Sequence, residues 1–380
     1  MRREQVERFL SPYGDSEGSE VDYRLARRLG VYIPKAIALE REVLADLDEH
    51  TFGIGWWAPH PGTSRRILIS DYLWQCCHSI QQNVTEAALH LVEAQGAWDA
   101  HAQRLAGGLK VAASGEAAVE LPAIASPMDE LSGELFQLHV GGLMRAVGSA
   151  LDCLGGVIVG VAGLKTDLLK ADLGSAFKEL DKLSSPSTAG ERLQAAIRIE
   201  LAAAAARCGP EGWIEWASDF RNMLVHRGRR TRKDGGHLVP SPILDAQGHL
   251  QPRLQSFPLL PRAPRRSDVQ VMLDLGTHDH LTEDGLFTLA GTLQSTCAYI
   301  AAATDHLGTV WQTRRAAPTI IDQPAAQWKE VGPAPRPFGG YDQGTAGTSF
   351  SEIHLGPVRL RRLRAAALTS EFRHLWETFD

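Results

Sequence analysis

Apolar and polar positions alternate with helical spacing over most of the chain. Helix-forming residues run from Ile67 to Gly107, with a break expected near Asn83. A longer apolar run follows from Met128 to about Leu164. Pro127 suits its first turn, and Asp129 and Glu130 suit the positive end of its dipole. A shorter segment covers Leu168–Leu183. Ser187 or Thr188 then caps a helix over Glu191–Arg207, which Cys208-Gly209-Pro210 ends. The next helix places Trp213, Trp216, Phe220 and Leu224 on a core-facing stripe, with Glu215, Asp219, Asn222 and His226 on another face. Gly228 stands where that helix would stop. Helical spacing returns over Leu286–Trp311.

The intervening stretches carry turn chemistry. Gly53–Gly62 is a Gly/Pro-rich loop whose Trp56 and Trp57 either cover the end of a core or stack on a partner. Residues 107–127 read as a connection. Ile243-Leu244 and Leu250–Leu254 flank Asp245–Gly248, the pattern of a small β-hairpin, and Val269, Val271, Leu273 and Leu275 alternate as in a short strand. Residues 316–357 read as an extended arm, followed by an amphipathic helix over 358–378 that carries Arg359–Arg364 on its wet face. The expected fold is mainly α. It has an N-terminal helical region (1–125), a helical bundle with a hairpin insertion (126–316) and a C-terminal arm plus helix (317–380).

Composition narrows the class. The 380 residues are 44% hydrophobic and 22% charged, enough apolar surface for a substantial core. A net charge of −6 argues against an overall cationic coat for nucleic acid but allows a local basic patch. The five cysteines form no CxxC pair and read as reduced thiols, so no zinc site is expected. Ala146–Leu164 is apolar around Asp152; a carboxylate within the run and its many glycines favour a buried core helix over a membrane span. The expectation is a soluble cytoplasmic protein needing no metal or cofactor.

Chemistry concentrates in Arg221-Asn222-Met223-Leu224-Val225-His226, followed by Arg227-Gly228. This segment resembles the R-x4-6-H motif of HEPN-domain proteins, many of which are metal-independent ribonucleases. The resemblance extends over a long helix preceding the motif helix and covers roughly half of the chain. It implies a HEPN-like bundle, RNA as substrate and a homodimer whose two motif copies form a composite site. Biologically it implies a toxin or antiviral defence effector restrained by an antitoxin-like partner.

The residue types suit that chemistry. His226 titrates near neutrality and can exchange protons with the ribose 2′-hydroxyl or the leaving oxygen. Arg221 offers a fixed cation to a phosphorane, and Asn222, one turn before His226, can orient the imidazole or a substrate oxygen. Residues five apart on a helix diverge by about 140°, so Arg221 and His226 need not converge on one phosphate within one chain.

Asp219 and Glu215 are candidate supporting carboxylates. Asp152 is either a third or a buried group satisfied by a neighbour. The basic run Arg227, Arg229, Arg230, Arg232 and Lys233 is placed to hold RNA phosphates, or forms a solvated loop. His278-Asp279-His280 has metal-capable residue types at a spacing that rarely completes a site alone. The alternative reading is a non-catalytic module that binds RNA, nucleotide or protein.

Overall fold

The structure, a computed structural model, describes residues 23–46, 63–107, 109–111, 117–119, 127–166, 170–226, 233–244, 250–266, 270, 273 and 280–321. These are mainly helical. In chain order they form α1 (Arg24–Arg28), α2 (Pro34–Asp46), α3 (Thr63–Gly107), β1 (Leu109–Val111), β2 (Ala117–Val119), α4 (Pro127–Ala162), α5 (Leu173–Leu180), α6 (Ala189–Cys208), α7 (Trp213–His226), β3 (Lys233–Leu244), β4 (Leu250–Leu259) and α8 (Gly285–Ala316).

The centre is an antiparallel pair, α3 against α4, and small residues decide how closely the two approach. Gly156 and Gly160 of α4 admit Cys76 and Leu73 of α3; a methyl group at either position would lie 2.6 Å from Cys76 Sγ or Leu73 Cδ1. Gly155 likewise admits the backbone of Asp172 and Leu173, where α5 begins. The glycine cluster therefore serves close packing. One core extends from Tyr23 to Trp311 and takes in helices on both sides of residue 126. Leu131–Ala162 and Gly285–Ala316 are long and apolar enough to cross a membrane, and the apolar window of the first is 72% buried within the protein.

The last carbonyls of α4 have no partner within their own helix and must find donors elsewhere. Arg314, from the last turn of α8, reaches them fully buried and donates from Nη1 to Gly160 O (3.1 Å) and Val161 O (2.6 Å). Gln194 of α6 donates to Ala162 O at 2.8 Å. Gly163 then turns the chain with φ of +61°, a conformation that favours glycine. The same end of α8 is also tied to α2 by Asp46, which accepts from Trp311 Nε1 at 2.7 Å and pairs with Arg315.

Several expectations change. No break occurs at Asn83, whose side chain donates to Cys153 Sγ on α4 at 3.6 Å; a tertiary contact absorbs the polar group. The connection over 107–127 contains the antiparallel β1–β2 pair. The hairpin is longer than its turn signals suggest: β3 pairs with β4 from Lys233↔Leu259 to Leu244↔Leu250, with an irregularity between Pro240 and Leu244 where proline interrupts the ladder. Of the strand expected over 269–275, Gln270 and Leu273 are helical, so tertiary context overrides a short alternation. The stripe of α7 buries Trp213, Ala217, Phe220 and Met223, leaving Trp216 and Leu224 half-buried. Trp56, Trp57 and the C-terminal helix over 358–378 lie outside the described residues.

Candidate functional site

The motif helix α7 lies against α4, and each side chain of the motif follows from its angular position. Phe220 and Met223 turn into the core. Arg221 stands beside that buried line and reaches α4, where Nη2 meets Asp152 Oδ2 at 3.1 Å. Its aliphatic stem crosses Gly148, one turn before Asp152; a methyl group at position 148 would sit 2.8 Å from Arg221 Nε and 2.9 Å from Cδ. Gly148 and Asp152 together form the seat of Arg221. The pair is partly open to solvent, with side-chain exposures of 32% for Arg221 and 40% for Asp152, so water moderates its strength. Nε of Arg221 is buried and has no hydrogen-bond partner among the described residues.

Burial pushes the Asp152 carboxyl above its ordinary value, Arg221 opposes that rise, and Asp172 adds to it. Asp152 is half-exposed and not fully buried; its carboxylate is paired with Arg221 and lines a cleft. That cleft has a volume of about 400 Å³ and opens where α4, the start of α5 and α7 meet. Arg221, Asn222, Asp152, Asp172, Glu215, Asp219 and Arg265 supply its polar lining. Asp219 accepts from Arg265 Nε at 2.7 Å, and Asp172 caps α5 by accepting from Ser175 N at 2.6 Å.

His226 does not line this cavity. It is the last residue of α7 and is exposed, as is Val225 beside it. Arg221 points inward and His226 outward, as the helical spacing requires. Arg227, Arg229, Arg230 and Arg232 lie outside the described residues, and Lys233 opens β3. Of His278-Asp279-His280, only His280 is described, in an isolated backbone bridge to Pro261. Among the described residues no three His, Cys, Asp or Glu side chains stand together as a metal site. Burial raises the thiols of Cys76 to about 12 and of Cys153 to about 11, which makes them poor nucleophiles.

Gly148, Asp172 and Arg265 are site residues that the sequence reading passed over. Gly148, four residues before Asp152 on an apolar helix, carried a usable signal: both fall on one face. Arg265 sits in a Pro-rich loop and carried none. No protein family, characterised protein or solved structure matches the chain.

Proposed function

We propose that the protein is a metal-independent endoribonuclease of HEPN type. The observation that carries this reading is the division of labour on α7: Asp152 and Gly148 hold Arg221 at the rim of a cavity, while His226 stands exposed at the end of the same helix. A second copy of the chain completes the site by bringing its own motif opposite the first. One histidine removes the 2′-hydroxyl proton, the 2′-oxygen attacks the adjacent phosphorus, and a fixed guanidinium stabilises the added negative charge. The 5′-oxygen leaves with a proton from the other histidine. The products are a 2′,3′-cyclic phosphate and a 5′-hydroxyl end. A toxin or defence role, restrained by a partner protein, fits such an activity in a cell.

The test is cleavage of total RNA in EDTA by the wild-type chain beside His226→Ala and Arg221→Ala. Wild type should cut and leave cyclic-phosphate ends, and each variant should be slower by about 10²–10⁴-fold. Undiminished cutting by the variants would reject the assignment.

The second reading is a non-catalytic nucleotide- or RNA-binding module. The existing Arg221–Asp152 pair favours it, because that guanidinium already has a carboxylate partner. Under that reading the wild type binds RNA and cuts none.

A further inference from the structure

The cavity beside Arg221 holds more polar groups than internal pairing uses. Asp152 is engaged by Arg221, Asp219 by Arg265, and Asp172 by the first turn of α5. Glu215 and Asn222 line the same cavity and make no hydrogen bond or ion pair with the described residues, and Arg221 Nε is likewise unpaired. Glu215 and Asn222 lie two turns apart on α7, so about 10 Å separates them along the helix axis. Ile214 and Phe177 supply apolar wall to the same cavity.

A carboxylate at one end and an amide beside an arginine at the other match a nucleotide lying along α7, with its base at Glu215 and its ribose and phosphate at Asn222 and Arg221. The lining has four carboxylates against two guanidiniums, which favours N–H donors over phosphate at the Glu215 end. Among the common bases, guanine presents two adjacent N–H donors, N1–H and the 2-amino group, which a carboxylate accepts as a parallel pair. Uracil flanks its single N–H with carbonyls that would oppose the carboxylate. Adenine and cytosine set one amino group beside a ring acceptor.

We infer that this cavity is a base-recognition pocket, that Glu215 selects guanosine there, and that guanosine is the nucleoside on the 5′ side of the cut. The inference rests on the ribonuclease reading but is measurable without catalysis.

The experiment is calorimetric titration of the full-length protein with each of the four nucleoside 3′-monophosphates, repeated on Glu215→Gln. Glu215 is exposed, so the variant should keep the wild-type thermal transition. Guanosine 3′-monophosphate should bind tightest. Glu215→Gln should weaken it by about tenfold to a hundredfold and leave uridine 3′-monophosphate unchanged. Equal binding of all four, binding of none, or equal weakening of all four in the variant would overturn the pocket, even if metal-free cleavage stands. Guanosine-selective binding by a protein that never cuts RNA would keep the pocket and remove the nuclease.

Discussion

Two arginines reach α4 from other helices and do opposite work there. Arg314 comes from α8, is wholly buried, and donates to main-chain carbonyls at the C-terminal end of α4. Arg221 comes from α7, is about one-third exposed, and meets a carboxylate beside an open cavity. Burial pushes the Arg314 guanidinium down to about 9, the sign of a charge held where water cannot compensate it. A charge in that position closes a helix end and has no route to a ligand. Arg221 gives up part of its solvation while keeping a face toward solvent. Residue type and helix packing are shared by the two sites, so burial and the nature of the partner separate a structural cation from a poised one.

The largest effect expected from breaking this contrast is on stability. Arg314→Met leaves the carbonyls of Gly160 and Val161 without their donor in a dry environment and should lower the unfolding free energy by about 3 kcal/mol. Arg221→Met should lower it by about 1 kcal/mol or less, since its ion pair is partly solvated. Urea titration of both variants decides the matter, and equal losses would erase the distinction.

A smaller effect sharpens the Arg221 side. Gly148→Ala places a methyl group against the stem of Arg221, which can swing away at modest energetic expense because it is flexible. The protein should stay folded while cleavage falls by about tenfold to a hundredfold from a misplaced cation, and the Arg221 Nε–H resonance should shift. An unmoved resonance would show that Gly148 does not set the arginine's position.

The smallest effect lies midway along the α3–α4 pair. His90 of α3 packs its ring over Gly142 and brings Nδ1 to within 3.0 Å of His139 Nδ1. Burial and then His139 lower the His90 pKa from its ordinary 6.5; Arg145 lowers it further, while Glu86 and Glu93 oppose. The unfolded chain therefore binds this proton more readily than the folded one. The stability associated with the neutral ring is fully present above pH 6.5 and is lost as pH falls through the lowered folded value. Thermal melts of His90→Gln between pH 7.5 and 5 should show a shallower decline than wild type, and parallel curves would clear His90 of any part in it.

The long helices were legible because their apolar stripes persist over many turns, and tertiary packing had only to confirm them. The start of α6 was legible for the same local reason: Ser187 or Thr188 was the expected cap, and Thr188 is the one used, with Glu191 three residues on completing a capping box. The divergence of Arg221 and His226 followed from helix geometry alone. What escaped was non-local. The Asp152–Arg221 pair joins positions 69 residues apart, and the role of Gly148 exists only because another helix lays an arginine over it. Gly209 was expected at the C-cap of α6 and is there, yet with extended backbone. Glycine is needed at that position because Trp213 and Ser295 crowd it, leaving 2.6 and 2.8 Å for a methyl group. The β1–β2 pair and the full length of β3 escaped because glycine, proline and small residues carry little periodicity.

The chain leaving β4 is lashed to the motif helix at two points: Trp216 Nε1 donates to Pro261 O at 3.0 Å, and Arg265 grips Asp219. On the far side, β4 is fastened to α3, where Trp98 Nε1 donates to Ser256 O at 3.4 Å. The hairpin is therefore a handle with its linkage built in. A pull on it passes between the tryptophan on α3 and the two anchors on α7, and the second anchor stands two residues from Arg221.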